Sequence, residues 1–255
     1  MEISKKLAVS LHETDSTTED KPTPPCTRIV DACEKAEKSI LPNLAHHKIL
    51  PQGHIILHES AALTSVAQIL SGIVKLSKTL ADGRQQIVGL RFASDFLGSP
   101  FKETSPYNAE TITEVHLCSY DRTKFEQGLK NNRGIEHRLF QNTLDELDEA
   151  REWMLLLGRK YAGEKIASFL LMVAERTDKL QLGNSLSTPA TFALPLTRAE
   201  IADYLGLTIE TVSRQISELK AKNIISLHTN RVVSILDLNR LSALAEQEYA
   251  RKALH

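Results

Sequence analysis

Hydrophobic and polar positions follow a strand-like period through the first half of the chain. Apolar and polar residues alternate over residues 73–78, as in a half-buried strand. Asp82 and Gly83 form a hairpin signal with residues 86–92 as the partner strand. Residues 111–120 are rich in β-branched side chains and predict another strand. Short antiparallel strands at this spacing predict a small β-roll or barrel.

The period becomes helical from about residue 134. Apolar or small residues recur at intervals of three and four up to residue 160, close to the spacing of a coiled-coil seam. Such a helix can pack on its own domain as a core helix or on a second copy of the chain, and the sequence leaves both open. The seam consists of Leu139, Thr143, Leu147, Ala150, Met154 and Leu157. A second helix is predicted over residues 162–176.

Two short helices around a glycine turn are predicted near the C-terminus. Thr197 and Glu200 have the spacing of a capping box, so they can satisfy the free N–H groups at a helix start. Gly206 is expected just past the end of that helix, and Thr208 can cap the next one. The first helix would bury Ile201, Ala202 and Leu205. This order of elements is the sequence form of a helix-turn-helix, and residues 225–235 add a plausible β-wing.

The second of these helices has the chemistry for reading DNA bases. Arg214 can donate two hydrogen bonds to guanine, Glu210 can accept one from cytosine, and Ser213 can reach a base or a phosphate. The opposite, apolar face consists of Val212, Ile216 and Leu219. The side chains suited to contacts with the DNA backbone are Thr197, Thr208, Thr211, Ser217 and Lys220.

Composition narrows the class of protein. The chain has 255 residues, of which 42% are hydrophobic and 25% charged, as in a soluble globular protein of about two domains. Its net charge of −1 still allows a local basic surface for DNA. The longest uncharged stretch, residues 60–74, is shorter than the roughly 20 residues that span a bilayer. With no secretory signal and three cysteines, we expect a cytoplasmic protein without a disulfide framework.

Residues 194–214, LPLTRAEIADYLGLTIETVSR, resemble the DNA-binding signature of the CRP/FNR family of transcription regulators. The ETVSR core is similar to that of the FNR and FixK branches, and the resemblance spans about residues 50–241. It implies an α+β fold: an N-terminal cyclic-nucleotide-binding-like β-roll, a long dimerisation helix and a C-terminal winged helix-turn-helix. The implied domains are a flexible arm at residues 1–25, a β-roll sensor at 26–133, the dimerisation helix at 134–161 and the DNA-binding domain at 162–255.

The same resemblance implies a function. A homodimer would bind a palindromic TTGAT-type DNA site, with Glu210, Ser213 and Arg214 in the positions that contact its bases. The protein would act as an activator that contacts RNA polymerase, with genes of low-oxygen or redox conditions as its targets. We expect no enzyme activity, because the chain carries no Walker loop, nucleophile elbow or metalloprotease motif.

The sensed signal is the least determined feature of the sequence. Residues 92–102 lack the glutamate and the Arg-Ser pair of a cyclic-nucleotide phosphate cassette, so we expect that the ligand is not cAMP. FNR proteins hold a [4Fe–4S] cluster, and Cys26, Cys33 and Cys118 lie in corresponding regions. A cluster usually takes four thiolates, so this chain would need another ligand. The candidates are Asp31, Glu34, His46 and His47.

Other interpretations of the sensor remain open. The three cysteines can be incidental thiols, with Cys118 a small buried apolar residue, or they can be oxidised directly as a redox switch. The same fold can also sense nitric oxide through haem, bind a small molecule, or work without a cofactor as FixK does. His54 and His58 would share a strand face, but two histidines without a third ligand make a weak metal site.

Overall fold

Eight short strands form the described part of the N-terminal half, in line with the predicted β-roll. The computed structural model describes residues 45–181 and 190–246. The strands are β1 (Ala45–Leu50), β2 (Ile55–Leu57), β3 (Ser65–Ser71), β4 (Val74–Thr79), β5 (Gln85–Arg91), β6 (Phe96–Leu97), β7 (Asn108–Thr111) and β8 (Val115–Asp121). They make two antiparallel sheets, in the orders β1-β8-β3-β6 and β2-β7-β4-β5. Apolar residues from both sheets, among them Ile69, Val74 and Leu117, form the core between them.

The single strand predicted over residues 111–120 is wrong, because the chain turns at residues 112–114. The backbone N–H of Ile112 donates to the carbonyl of Ile73, and the N–H of Ile73 donates to Thr113 Oγ1. These contacts hold the turn between β7, which belongs to one sheet, and β8, which belongs to the other. Hydrogen bonds with Ile73, which is distant in sequence, therefore divide the β-branched run between two strands.

Three helices follow the β-roll. The first, α1 (Arg122–Asn131), was not predicted; Asp121 caps it by accepting from the N–H of Lys124, and Phe125 and Leu129 are buried against the roll. The second is the long helix α2 (Arg133–Arg159), which Asn132 caps. The third, α3 (Ala162–Gln181), extends beyond the predicted end at residue 176.

The apolar surface of α2 differs from the predicted seam. Leu139 packs on the cluster that contains Phe125 and Ile135, and Leu157 packs on the core of the C-terminal domain, so both face the interior of the chain's own fold. The large apolar side chains that α2 exposes are Phe140, Leu144, Leu147, Met154 and Leu155. We call these five residues the exposed stripe. The exposed stripe shares Leu147 and Met154 with the predicted seam. At the start of the helix, Phe140 and Leu144 take the places that the prediction gave to Leu139 and Thr143.

Within residues 162–181 and 190–246, the C-terminal domain contains α3 and six further elements. These are β9 (Ala190–Ala193), α4 (Arg198–Leu205), α5 (Ile209–Ala221), β10 (Ile225–Leu227), β11 (Val232–Ile235) and α6 (Leu238–Glu246). The three strands form a sheet in the order β10-β11-β9. We call residues 162–181 and 190–246 the reading head. The predicted wing strands and both predicted short helices are confirmed.

The reading head rests on the β-roll and on α2. Ile87, Leu90 and Phe92 belong to the same buried apolar cluster as Phe169 and Leu205 of the head. One continuous core therefore fixes the helix-turn-helix to the rest of the protomer. Over the described ranges, no helix is long and apolar enough to cross a membrane. The predicted arm (residues 1–25) and the stretch with Cys26 and Cys33 lie outside the described residues.

Two glycines with similar backbone angles allow a test of packing in the β-roll. Gly72 has φ +91° and Gly83 has φ +87°, so alanine at either position adopts a left-handed conformation that costs about 1–2 kcal/mol. At Gly72 the added Cβ would also overlap the carbonyl oxygen of Glu114 and lie 2.9 Å from Val115 Cα, whereas at Gly83 it meets no atom within 4 Å. We expect Gly72→Ala to lower the free energy of unfolding by about 1–3 kcal/mol more than Gly83→Ala, because overpacking adds to the backbone strain. Urea unfolding of the two variants measures this difference, and equal losses would contradict it.

Candidate DNA-binding site

The first helix of the helix-turn-helix, α4, begins and ends as the sequence predicts. The N–H of Thr197 donates to Glu200 Oε2 (2.9 Å), and the N–H of Glu200 donates to Thr197 Oγ1 (3.2 Å), so the capping box is confirmed. Gly206 ends the helix in the left-handed conformation, with φ 61° and ψ 46°. Ile201 and Leu205 are fully buried and fasten α4 to the core of the head.

The second helix, α5, presents a polar face to solvent. Thr208 Oγ1 accepts from the N–H of Thr211 (3.2 Å) and caps the helix start. The buried residues of α5 are Val212, Ile216 and Leu219, as predicted. Glu210, Ser213 and Arg214 are all exposed on the other side, near the helix start. The fold therefore brings the three predicted base-contacting side chains together on one accessible surface.

The electrostatics of this surface suit hydrogen bonding to bases. The Glu210 carboxylate accepts hydrogen bonds from the backbone N–H of Glu210 and from the hydroxyl of Thr208. Both contacts lower the pKa of Glu210 below its usual range. The carboxylate therefore stays ionised and acts only as an acceptor, which is what a cytosine amino group requires. Arg214, one turn along the helix, offers only donors.

The residues predicted to contact the DNA backbone differ in burial and in hydrogen bonding. Thr208 and Thr211 lie together, with 3.1 Å between their hydroxyl oxygens, at the start of α5. Ser217 donates to the carbonyl of Ser213 (2.9 Å), and Thr197 is partly buried in its capping box. Lys220 is exposed in the last turn of α5, away from the base-contacting residues. Of these five side chains, Thr208 and Thr211 lie at the same end of α5 as the predicted base-contacting residues.

Two cationic residues of the head were missed by sequence reasoning. Lys165 is 8% exposed and its Nζ donates to the carbonyl of Leu205 (3.2 Å), one of the free carbonyls at the end of α4. Burial lowers the pKa of Lys165 and that of Arg198. The Nη1 atom of Arg198 is buried without a hydrogen-bond partner among residues 45–181 and 190–246. In the sequence, the position of Lys165 among the apolar residues of α3 is the signal that its ammonium group is buried and bonded within the head.

The wing is a tight hairpin between β10 and β11. Thr229 Oγ1 accepts from the backbone N–H groups of Arg231 (3.2 Å) and Val232 (3.0 Å), which fixes the turn. His228 and Ser234 lie across the hairpin, with 2.7 Å between Nε2 and Oγ. Asn230 and Arg231 at the tip are exposed, so the tip can approach a DNA backbone beside α5.

The residues considered for metal binding do not form a site in the described part of the chain. Cys118 on β8 is fully buried, and its Sγ lies 3.1 Å from the hydroxyl of Tyr120. His46 and His47 lie on β1, where His47 is the register partner of Cys118, and both are exposed. His54 and His58 flank the short strand β2 and do not lie in it, so the expected shared strand face is wrong.

Within residues 45–181 and 190–246, no group of three His, Cys, Asp or Glu side chains could hold a metal ion. Cys26, Asp31, Cys33 and Glu34 lie outside these ranges. Cys118 is therefore the one member of the predicted cysteine set that the structure describes.

These elements define a class of protein: a β-roll domain joined by a long helix to a winged helix-turn-helix that reads DNA. Residues 47–132 match the model of the cyclic nucleotide-binding domain, and residues 164–244 match that of the Crp-like helix-turn-helix domain. The chain is 44% identical over 209 residues to the transcriptional activator protein FnrL of Cereibacter sphaeroides, covering 82% of this chain and 84% of that protein. It is 37% identical to the nitrogen fixation regulation protein FixK of Bradyrhizobium diazoefficiens, over 85% and 87% of the two chains.

Among solved structures, that of FixK2 from Bradyrhizobium japonicum is similar, with a TM-score of 0.71 and 32% identity. The match covers 79% of this chain and 97% of that one. The chain belongs to the CRP/FNR family of transcription regulators, in the branch of FNR and FixK, and it is a DNA-binding regulator of the CRP type.

Proposed function

We propose that the protein works as a homodimer that binds a palindromic TTGAT-type site and activates transcription from oxygen- or redox-responsive promoters. The observation that carries the proposal is the exposed triad of Glu210, Ser213 and Arg214 on a recognition helix whose other face is buried. The protein acts by binding DNA and RNA polymerase in the cytoplasm, and no catalytic step is part of the proposal.

The triad offers the bases of a half-site both hydrogen-bond donors and hydrogen-bond acceptors. Arg214 donates two hydrogen bonds to one guanine, and Glu210 accepts from a cytosine amino group. Thr208, Thr211 and the other predicted backbone contacts hold the helix in register on the phosphates. Because phosphate contacts release counterions, affinity falls steeply as salt rises.

Replacement of Arg214 tests the base readout. We expect Arg214→Ala to weaken binding to a TTGAT palindrome roughly 10- to 100-fold and to relax selectivity at the contacted guanine, because two donors to one base are lost. Arg84→Ala removes the same charge from the hairpin between β4 and β5, where Arg84 pairs with Asp82 and no DNA contact is proposed, and should leave affinity almost unchanged. Fluorescence anisotropy at fixed salt measures both. Binding of Arg214→Ala as tight as that of the wild type would mean that another residue reads this base.

The exposed stripe on α2 supports the homodimer. Phe140 and Met154 are 59% and 65% exposed in the protomer, and the stripe runs along one side of a 27-residue helix. Packing of two such helices removes this apolar area from water and aligns two reading heads about a two-fold axis. Two recognition helices then face half-sites about one helical turn apart.

Neighbouring substitutions on α2 test where the two protomers meet. Leu144 belongs to the exposed stripe, and Thr143 belongs to the predicted seam alone. We expect Leu144→Glu to give a monomer, because dimerisation would bury its charge, and Thr143→Glu to remain dimeric. Light scattering gives the mass of each. A dimeric Leu144→Glu would show that the stripe is not the interface, and a monomeric wild-type protein would contradict the homodimer itself.

The proposed oxygen or redox response is supported by the place of this chain in the FNR and FixK branch of the family. Its relatives carry the names FnrL and nitrogen fixation regulation protein FixK. A [4Fe–4S] cluster would supply oxygen-sensitive redox chemistry, with Cys118 as the described ligand. The described residues around Cys118 do not fit a cluster, because the sulfur is buried among Val66, Phe125 and other apolar side chains. No step of the proposed function is therefore derived through a cluster.

A second candidate is a cofactor-free regulator that keeps the same DNA target. Arg91 of β5 forms an ion pair with Glu146 of α2 (3.0 Å) across the cleft between the roll and this helix. Arg176 of α3 contacts Asp95 and Glu149 beside it. Side chains of the protein thus cross this cleft and fasten its two walls together, which favours a state that needs no small effector such as cAMP or haem.

Purification without oxygen separates these mechanisms. If the response acts on the protein through Cys118, we expect DNA affinity to fall after exposure to air and Cys118→Ala to abolish the change. A broad visible absorption band that bleaches in air indicates a cluster, a sharp Soret band indicates haem, and an air response without a band indicates thiol oxidation. A colourless protein whose affinity is the same in air supports the cofactor-free candidate and contradicts redox control of this protein.

A further inference from the structure

The link between the long helix and the reading head is only two residues long. Helix α2 ends at Arg159, and α3 begins at Ala162. Lys160 has the extended angles φ −77° and ψ 144°, so the helical path is broken there. A continuous helix would set the angle of the head by itself. Because the helix is broken here, we look for contacts elsewhere in the chain that hold the orientation of the head.

Helix α4 makes these contacts at both of its ends and through the ring of Tyr204. Ile201 and Leu205 hold α4 in the head. Glu200, Asp203 and Tyr204, spaced by three and one along the helix, also contact the β-roll and α2. Tyr204 makes both kinds of contact, because its ring packs edge-on against Phe169 of α3 as well. An eight-residue helix is thus shared between the part that reads DNA and the part that does not.

The first contact is an ion pair at the start of α4. Lys75 Nζ of β4 lies 2.8 Å from Glu200 Oε1 and 3.3 Å from Glu110 Oε2, and the Lys75 side chain is 12% exposed. Burial alone would lower the pKa of Lys75, but its contacts with Glu200 and Glu110 outweigh burial and raise it. Glu200 is also the capping-box carboxylate, so the β-roll binds the group that starts the helix.

The second contact is at the other end of α4. Gln86 Nε2 of β5 donates to the carbonyl of Asp203 and lies 3.4 Å from that of Tyr204. Carbonyls in the last turn of a helix have no partner within it. The β-roll therefore supplies hydrogen bonds that α4 lacks, and with Lys75 it holds both ends of the helix.

The third contact is aromatic. Trp153 of α2 stacks on Tyr204, with ring centroids 4.0 Å apart and 23° between the planes. This contact joins α4 directly to the helix that carries the exposed stripe. Stacked rings constrain both distance and tilt, so the stack sets the angle of the head against α2.

We infer that Lys75, Gln86 and Trp153 are positioning residues that fix the reading head and so determine which spacing between DNA half-sites the dimer accepts. The inference rests on the proposed dimeric function. A short turn with Gly206 at its start joins α4 to α5, so a clamp on α4 also fixes the recognition helix. A dimer with both heads clamped fits one distance and one rotation between half-sites, and any other spacing must break either the clamp or base contacts.

The experiment measures spacing selectivity separately from base selectivity. Duplexes carry two TTGAT half-sites at the optimal separation or with one base pair added or removed, and a further duplex has one base changed within a half-site. For the wild type we expect each spacing change to weaken binding at least about tenfold, because base contacts of one head are lost. We expect Lys75→Gln with Gln86→Ala to reduce this penalty by roughly threefold or more, while the penalty for the changed base stays the same.

Lys78→Gln is the matched control. Lys78 lies on the same strand as Lys75 but pairs with Glu59 inside the β-roll (3.1 Å). This variant should keep the wild-type spacing penalty. Trp153 is the only tryptophan of the chain, so its fluorescence reports docking of the head without DNA. Acrylamide should quench it more strongly in the double variant than in the wild type or the control.

The outcomes separate the inference from the function on which it rests. A double variant with increased quenching and a reduced spacing penalty supports the clamp. Either unchanged quenching, or increased quenching with the wild-type spacing penalty, overturns it while leaving dimeric binding intact. If the wild type binds a duplex with one half-site as tightly as one with two, the proposed dimeric function fails and the inference fails with it.

Discussion

The position of the reading head depends on apolar burial that involves three parts of the chain. Phe92 of the β-roll, Leu156 of α2 and Phe169 of α3 belong to one cluster, together with the core of the helix-turn-helix. Burial of this kind is strong but has no preferred direction. It holds the parts together and leaves their relative angle to be set by polar and aromatic contacts, which are directional.

Helix α4 is where the two kinds of interaction meet. Its apolar face lies in the cluster, and Glu200 accepts hydrogen bonds both from its own cap and from Lys75. At its other end, Gln86 and Lys165 donate to carbonyls that the helix leaves free. Polar groups at both ends of this short helix therefore find partners in other elements. The helix therefore keeps its place even though its eight residues could not form a stable helix alone.

The sequence predicted best those features that depend on neighbouring residues. The capping box of Thr197 and Glu200, the left-handed Gly206 and the cap at Thr208 each involve groups within a few positions, so local spacing was sufficient. The apolar underside of α5 follows from helical periodicity in the same way. These features define most of the candidate DNA-binding surface. The hydrogen-bonding chemistry of its side chains indicated their roles, and the resemblance to a known family added the type of DNA site.

Features that depend on distant partners were misjudged. The turn at residues 112–114 is held by Ile73, forty residues earlier, and nothing in the local β-branched run indicates it. Leu139 and Leu157 have the spacing of an exposed seam, but α1 and the reading head cover them, and this moves the free apolar surface to the stripe with Leu144. Periodicity shows that a helix has an apolar side; which partner covers which residue is decided by tertiary packing.

The left-handed turn at Gly206 separates two helices whose outward faces have different partners. The outward face of α4 is bound to the protein's own body, and substitutions there disturb buried charges and hydrogen bonds. On the outward face of α5, the side chains of Glu210, Ser213 and Arg214 are all exposed and lie apart from the buried face that holds the helix. Evolution can therefore exchange these three residues for others, and with them the set of promoters that the regulator serves, at almost no cost to the fold.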